Sequence, residues 1–315
     1  MQKATALRFR PLTDADAEMA AAMVTRDQPR RPMSLEHLRE RFRNAETSSE
    51  VRRFQVESGG EPLGWLSVLR LRGKTEEHAL VNQILPGVAR STYDQTGAFA
   101  IQNAKEMGAT FAVAEIWEDN AELIASLRGM GWEQIRRQRY WRLELPLNAE
   151  RLHSQLASSL KRVTAAGVRI ASAAELGGPA IYPKLYEVNQ AAHADIPTTV
   201  PFELDPYETW IGWMQPPGVL AERVWVAAVE GRPVGFSFLT YRPDIVDTGF
   251  TGVLREHRGQ GIARALKLET VCQAAELGVT AVETDNDSEN APILHLNEEI
   301  GYQEVEGQLQ LRKSL

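Results

Sequence analysis

The sequence predicts a mixed α/β protein made of two tandem domains, each with a mixed sheet flanked by helices. Three observations support this. The chain repeats itself at an almost constant offset, which indicates a duplicated domain. Strand-like segments alternate with short helical stretches in both copies, and a glycine-rich turn occurs in the second copy alone. The repeat pairs Gly108, Thr110, Asn120, Gly131 and Trp132 with Gly278, Thr280, Asn290, Gly301 and Tyr302, 170 positions later.

The second copy shows the clearer succession of elements. Its first strands are joined at the turn residues Gly231-Arg232-Pro233, and the apolar stripe of one helix ends at Gly278. The pattern predicts strands over 168–170, 225–229, 234–241, 246–254, 280–284 and 303–311, with helices over 182–189, after the glycine turn, and over 292–299. The first copy runs similarly from Leu7 to about Leu145.

The segment between the copies predicts an amphipathic helix, because Leu152, Leu156 and Val163 recur at helical spacing. A solvated, partly flexible connector is the alternative. We therefore expect a first domain over 1–147, a connecting helix over 148–166 and a second domain over 167–315.

Composition excludes several classes of protein. The net charge of −7 argues against a nucleic-acid partner. A single cysteine, Cys272, excludes an internal disulfide and a cysteine-rich metal site, so we expect no metal. The chain has no apolar run long enough for a membrane helix and no signal-peptide pattern at its start. We expect a cytoplasmic protein without membrane partners.

The glycine-rich turn, Arg258-Gly259-Gln260-Gly261-Ile262-Ala263, follows a predicted strand and opens a helix. Without β-carbons, Gly259 and Gly261 allow positive φ, so that successive N–H groups can point at one anion. The positive end of the helix dipole and the charge of Arg258 favour the same anion. A phosphate-binding loop of the Walker type requires Gly-Lys-Ser/Thr, and a dinucleotide-binding turn requires a third glycine where Arg264 stands, so both fail. A plain tight turn remains the other interpretation.

The turn resembles the acetyl-CoA signature of the GNAT superfamily of N-acetyltransferases, in which Arg258, Gly261 and Ala263 match the fixed positions. The segment from Asn290 to Tyr302 is similar to the second cofactor motif of that family. Within the superfamily, Thr251-Gly252-Val253 and Thr284-x-Asn286-x-x-x-Asn290 look most like the tandem branch that includes mycothiol synthases. The resemblance implies two GNAT-like domains, each with a centrally splayed sheet.

The resemblance also implies a cofactor site and a reaction. Acetyl-CoA would lie in the gap of the splayed sheet, and a neutral amine would attack its thioester directly. A backbone N–H near Val253 would stabilise the developing oxyanion. The residues expected to bind acetyl-CoA are Val253, Leu254, Arg255, Arg258, Gly259, Gln260, Gly261, Ile262, Ala263 and Asn290.

Proton transfer in such a reaction requires further groups. Many relatives place a tyrosine seven residues after the motif asparagine, but here that position is Asn297, whose amide can only hydrogen-bond the CoA sulfur. Tyr302 we expect to pack in the core. Asp195, Glu203 and Asp247 are the candidates for orienting or deprotonating the acceptor amine; solvated loop charges or helix caps are the alternative for each.

The first copy aligns Val88, Ala89 and Ser91 with Arg258, Gly259 and Gly261, so we expect it to fold like its partner without binding acetyl-CoA. The expected function is acetyl transfer to a small-molecule amine in the C-terminal domain, by a monomer or homodimer. Acetylation of a protein or peptide, and a non-catalytic CoA sensor or interaction protein, are the alternatives.

Overall fold

The protein divides into two compact units. The first unit contains the chain up to Gln138 and the closing segment Glu306–Leu315, and the second contains most residues from Arg139 to Val305. The computed structural model describes residues 6–71, 77–196, 206–214, 219–242 and 244–315, and of these it leaves out the side chains of residues 47, 48, 71 and 213.

The first half of the chain supplies six strands and four helices among the described residues. In chain order these are β1 (Leu7–Pro11), α1 (Ala17–Asp27), α2 (Leu35–Ser48), β2 (Ser49–Ser58), β3 (Glu61–Leu71), β4 (His78–Ile84), α3 (Arg90–Glu106), β5 (Phe111–Trp117), α4 (Ala121–Gly129) and β6 (Glu133–Glu144).

The second half continues with a helix and then repeats the alternation of strands and helices. Its elements are α5 (Ala149–Ala165), β7 (Val168–Ser172), α6 (Tyr182–His193), α7 (Tyr207–Trp213), β8 (Val224–Val229), β9 (Arg232–Tyr241), β10 (Val246–Val253), α8 (Ile262–Glu276), β11 (Ala281–Asp287), α9 (Ala291–Ile300) and β12 (Gln303–Ser314).

Each unit is built on a mixed sheet flanked by helices, which confirms the expected fold class. The strand order is β1-β2-β3-β4-β5-β12 in the first unit and β6-β11-β10-β9-β8-β7 in the second. In each sheet one pair of central strands runs parallel, β4 with β5 and β10 with β11. The duplication read from the sequence therefore appears as a repeated sheet topology.

Matched positions of the two copies adopt the same backbone conformations. Asn120 and Asn290 precede α4 and α9 with φ of −82° and −83°. Gly131 and Gly301 follow those helices with φ of +80° and +101°, in the left-handed region. The repeated residues are thus the ones that begin and end the same helix in each copy.

The last strand of the chain completes the sheet of the first unit. Residues Gln308–Ser314 of β12 pair antiparallel with β5, and Leu309 and Leu311 lie in the core of the first unit. The sequence pattern places this strand in the second copy, and the structure differs there. Alternating residues specify which face of a strand is buried, but not which neighbour it pairs with.

Helix α5 lies where the apolar spacing predicts an amphipathic helix, and it belongs to the second unit. Its buried residues Leu152, Ser159 and Val163 form one stripe. At its first turn, Arg151 donates a hydrogen bond of 2.6 Å to the carbonyl of Ile300 at the end of α9. The helix is therefore part of the second unit's packing.

Substituting Leu311 by alanine tests the position of the last strand. Leu311 is completely buried in the core of the first unit, so Leu311→Ala should lower the free energy of unfolding by about 2–4 kcal/mol. Amide hydrogen exchange should accelerate in β5 and leave β10 protected. Ser314→Ala, at an exposed position of the same strand, serves as the control. Faster exchange in β10 with a protected β5 would contradict the assignment.

Candidate active site

The central feature of the second unit is a loss of pairing between its two parallel strands. β10 pairs with β9 from Val246 opposite Tyr241 to Val253 opposite Gly235, with a bulge at Gly249. With β11 it forms a single register pair, Asp247 opposite Glu283. Beyond that pair no further one is formed, so one edge of β10 is left unpaired towards its C-terminal end. This is the splayed sheet that the sequence resemblance implies.

The glycine turn lies directly after the unpaired part of β10. Gly259 and Gly261 have φ of +75° and +86°, and Gly261 caps α8, which begins at Ile262. Both values lie in the left-handed region, which strongly favours glycine. Among the described residues, none accepts a hydrogen bond from the N–H groups of Gly259, Gln260 or Gly261. Consecutive free amides at a helix N-terminus can hold a phosphate or pyrophosphate group.

Three arginines surround the turn. The Arg258 side chain donates a 2.9 Å hydrogen bond to the carbonyl of Val253 and so holds the turn against the end of β10. Arg255 precedes the turn, in the short 3₁₀ segment that follows β10. Arg162 approaches from α5: a β-carbon added to Gly261 would lie 3.5 Å from its Nε atom. Guanidinium groups at this density favour a polyanionic ligand.

Asp195, a candidate for orienting the acceptor amine, lies beside these arginines. Its carboxylate forms an ion pair of 2.8 Å with Arg258 and another with Arg255. The hydrogen bond from Arg255 lowers the pKa of Asp195, with a further contribution from Arg258. A carboxylate stabilised as an anion in this way is a weak general base. Its contacts suit a counter-ion of the turn better than a base.

The other two carboxylate candidates are placed differently. Asp247 is half-buried on β10 at the pair that closes the cleft; Arg242 donates to it at 2.6 Å, and Thr240 also donates to it. It is therefore already hydrogen-bonded on both oxygens. Glu203 lies outside the described residues. The roles expected for all three stay predictions.

Asn290 has an amide available for a ligand. It begins α9 without using its side chain as a cap, whereas Asn120 in the first unit accepts from the N–H of Leu123 and donates to the hydroxyl of Tyr93. Asn290 is also partly exposed. The side chain of the matched asparagine is thus hydrogen-bonded in the first copy, whereas in the second it makes neither of these hydrogen bonds.

Asn297 is completely buried. Its Oδ1 accepts a 2.7 Å hydrogen bond from Nζ of Lys267, and its Nδ2 donates at 2.7 Å to Oδ1 of Asn286. Direct contact with a CoA sulfur is therefore blocked in this conformation, although the role itself stays a prediction. Tyr302 packs in the core beside it and is 2% exposed, as the sequence predicts.

Two residues near the cleft, Lys267 and His193, are not among the site residues that the sequence predicts. Lys267 on α8 lies on the buried face, a position that its helical spacing from the apolar residue Val271 indicates. His193, at the end of α6, stacks on Phe250 of β10 with ring centroids 5.2 Å apart. Nothing in the local sequence distinguishes His193, because only the packing of α6 brings it to the sheet.

His193 has the properties of a neutral base. Its Nδ1 lies 3.2 Å from the carbonyl of Asn189, and burial lowers its pKa below the ordinary value. When Nδ1 carries the proton and donates to that carbonyl, Nε2 carries the lone pair. Phe250 belongs to the core on the α6 side of the sheet, whereas Leu239 of β9 belongs to the core on the α8 side. His193 therefore lies across the sheet from the helix that follows the glycine turn.

The corresponding place in the first unit has lost the turn. The loop between β4 and α3 covers residues 85–89 and is shorter than the loop over 254–261. Ala89, with φ of −74°, takes the capping place of Gly261, and Ser91 lies inside α3. Ala89 therefore stands at the place of Gly261, two residues before Ser91, which the sequence alignment puts there. Ala89 and Ser91 carry β-carbons as the sequence predicts, and the left-handed glycine of this loop is Gly87, with φ of +75°.

A cavity of about 280 Å³ remains at this place in the first unit. Its lining includes the carboxylates of Asp27, Asp119 and Glu122 together with Arg26. Burial, with a contribution from the charge of Asp119, raises the pKa of Asp27 to about 6. Carboxylates here repel a phosphate, whereas arginines surround the turn of the second unit.

The comparisons with known proteins agree with this geometry. A family model described as an acetyltransferase (GNAT) domain matches residues 221–304, a segment that contains β10, the glycine turn, α8, β11 and α9. The second half of the chain carries a GNAT acetyltransferase domain. No curated protein matches the chain.

Solved structures extend the likeness to the whole chain. A tandem GNAT protein from the clavulanic acid biosynthesis pathway superposes with a TM-score of 0.72 at 20% identity, covering 98% of both chains. A GCN5-related N-acetyltransferase from Sphaerobacter thermophilus gives a TM-score of 0.70 at 20% identity, over 98% of this chain and 95% of its own. The protein therefore has a tandem GNAT fold, and its GNAT domain makes it an acetyltransferase. Membership of the mycothiol synthase-like branch stays a prediction.

The described residues contain no group of three or more histidine, cysteine, aspartate or glutamate side chains that could hold one metal ion. No helix within the same residues is both long and apolar enough to cross a membrane. Cys272, which follows the glycine turn on α8, is buried, and burial raises its thiol pKa to about 12, so it suits packing rather than nucleophilic catalysis.

The carboxylate of Asp27 should make the first unit less stable as pH rises. Because its pKa in the folded protein lies above the ordinary value, the native state binds the extra proton, and stability falls between about pH 4 and pH 6. Asp27→Asn should therefore raise the free energy of unfolding by about 1 kcal/mol above pH 6 and leave it unchanged below pH 4. Chemical denaturation at both pH values measures this. Glu18→Gln, at an exposed position of the same helix, should show no such difference, and an equal gain at both pH values for Asp27→Asn would contradict the burial argument.

Proposed function

We propose that the second unit binds acetyl-CoA at the glycine turn and in the adjoining cleft, and transfers the acetyl group to a small-molecule amine. The observation that carries the proposal is the row of free amides from Gly259 to Gly261 at the end of a strand that has lost its parallel partner. The amides and Arg258 would hold the pyrophosphate. Asn290 would hold the pantetheine arm, and the bound thioester would supply the activated acetyl group.

We assign the deprotonation of the acceptor to His193 rather than to the carboxylates. Asp195 and Asp247 are both ion-paired with arginines. The hydrogen bond from Arg255 lowers the pKa of Asp195, which makes that carboxylate a weak base. The partly buried, neutral imidazole of His193 lies against β10 on the face opposite α8. An amine that approached from the α6 side would reach the imidazole while acetyl-CoA occupied the α8 side. His193 therefore suits the role of general base.

The first unit we propose as a partner domain that does not bind acetyl-CoA. Its shorter loop has one left-handed glycine, Gly87, where the turn of the second unit has two, Gly259 and Gly261. Its cavity carries carboxylates where the second unit carries arginines. We retain 1–147, 148–166 and 167–315 as the proposed limits of the two sequence copies and their connecting helix. A cytoplasmic monomer or homodimer agrees with the negative net charge and the fused duplicate.

The likeness to the tandem GNAT protein favours a small-molecule acceptor over a protein acceptor. The tandem relative belongs to a biosynthesis pathway, and its fold covers this chain almost completely. Release of free CoA with polyamines, aminoglycosides and amino sugars, compared with a panel of peptides, tests the acceptor class. Faster release with the peptides would replace this part of the proposal.

Substitution of Gly261 tests the cofactor site. In Gly261→Glu a residue with a side chain must adopt φ of +86°, and a carboxylate enters the anion site, so acetyl-CoA affinity should fall about 100-fold. Calorimetric titration should give one site per chain in the wild type. Ala89→Glu, at the same place in the first unit, is the matched control and should bind normally. Two wild-type sites would refute the inactive first unit, and no wild-type binding would refute the acetyl-CoA site.

Substitution of His193 tests the base. His193→Gln keeps a polar side chain of similar size but removes the titrating nitrogen, so kcat/KM for the amine should fall about 10²-fold with unchanged acetyl-CoA affinity. The wild-type kcat/KM should decline as pH falls through the lowered pKa of His193, and the variant should lack that decline. His257→Gln, beside the turn, should behave like the wild type. A normal pH profile in His193→Gln would transfer the role to another group.

A further inference from the structure

The second unit contains a buried lysine that neither the cofactor motif nor the proposed base explains. Lys267 is 1% exposed, and its ammonium has no carboxylate within ion-pair distance among the described residues. Its contacts are the 2.7 Å hydrogen bond to Oδ1 of Asn297 and the ring of Tyr302, whose centroid lies 4.9 Å from Nζ. Burial lowers the pKa of Lys267 to about 7, and the charge of Asp285 partly opposes this. An internal cation without an anionic partner lowers stability, so a purely structural role is a poor explanation.

The lysine fixes the direction of a chain of hydrogen bonds. A lysine ammonium can only donate, so Asn297 must present its carbonyl oxygen to Lys267 and its amide nitrogen to the next residue. That residue is Asn286, whose Oδ1 accepts from Nδ2 of Asn297 at 2.7 Å. With its oxygen engaged, Asn286 is left with its NH₂ group as the outer end of the chain. Hydrogen bonds polarised in series by one cation strengthen each other.

The outer end of this chain lies at the cleft. Asn286 is on β11, three residues beyond Glu283, where the pairing with β10 ends. On β10, the residue three positions beyond Asp247 is Phe250, on which the ring of His193 stacks. Asn286 is also partly exposed, unlike Asn297 and Lys267. The donor therefore stands across the cleft from the strand segment next to the proposed base.

We infer that Lys267 and Asn297 are positioning residues that direct the NH₂ group of Asn286 at the sulfur of coenzyme A, where it stabilises the departing thiolate. This inference rests on the proposed function. It supplies a group that stabilises the leaving thiolate. Many relatives have a tyrosine for this purpose, at the position where this chain has Asn297.

The step balances without a proton donor in the protein. The amine nitrogen forms a bond to the acetyl carbon, and the carbon–sulfur bond breaks with its electron pair remaining on sulfur. The amine proton passes to His193. Asn286 donates a hydrogen bond to the sulfur but transfers no proton, and the thiolate is protonated by water after release. A charge-polarised amide at this point stabilises the charge that develops in the transition state.

The test measures the acidity of bound coenzyme A, which requires no acceptor. The thiol pKa of coenzyme A on saturating wild-type protein, followed by the ultraviolet absorbance of the thiolate, should lie about one unit below that of free coenzyme A. In Lys267→Met the difference should disappear, while calorimetric affinity for acetyl-CoA stays within about twofold because the pyrophosphate site is intact. Lys184→Met, at an exposed position on α6, is the matched control and should keep the shift.

Asn286→Ala provides a second variant in which the buried lysine is untouched. It should abolish the thiol shift as well, and with a reactive amine both variants should lower kcat about tenfold without raising KM for acetyl-CoA. Because the residues act in one chain, the double variant should be no slower than the slower single variant. Thermal unfolding should show that Lys267→Met folds, since methionine occupies a similar volume without a buried charge.

The outcomes distinguish a failure of this inference from a failure of the proposed function. Binding of coenzyme A with no thiol shift in the wild type, or a shift that survives in both variants, overturns the inference and leaves the proposed function standing. Additive losses of kcat in the double variant also overturn it. Failure of the wild type to bind either acetyl-CoA or coenzyme A overturns the proposed function, and the inference with it.

Discussion

The single register pair between β10 and β11 is the constraint on which the site depends. Had the strands stayed paired beyond Asp247 and Glu283, their backbone groups would have satisfied each other and no cleft would exist. β10 stays paired with β9 on both sides of a bulge at Gly249, so the strand is held in the sheet while its other edge is open. The glycine turn, His193 and Asn286 each derive their position from this one strand or from its separated neighbour. The site is thus an interruption in the pairing of two central strands.

The two copies show how little must change to remove such a site. Both retain the asparagine that begins the last helix and the glycine that ends it, and both retain a parallel pair of central strands. The difference lies in one loop. The second unit has two left-handed glycines and nearby arginines there, whereas the first has a shorter connection with one left-handed glycine, Gly87, beside a cavity lined by carboxylates. Phosphate binding depends on backbone conformation and local charge, and both can change in a loop without any change of fold.

Charge is arranged in opposite ways around the cleft. At the turn, Arg255 and Arg258 share the carboxylate of Asp195, which neutralises part of their charge. In the interior, Lys267 is buried with only amide and aromatic contacts. The first arrangement stabilises a polyanion at the surface at little cost. The second lowers the stability of the fold and is explained by what the cation does to the amides in contact with it.

The sequence by itself determined the elements, the duplication and the glycine turn. These follow from local chemistry: the period of apolar residues, the asparagines and glycines that bound helices, and two glycines that allow positive φ beside Arg258. Only the tertiary structure decided that β12 completes the first sheet and that Asp195 forms ion pairs with Arg255 and Arg258. It also brought His193 to β10 and Lys267 to Asn297. Each of these contacts joins residues far apart in the chain, and no local pattern specifies which distant strand, ring or amide a residue will meet.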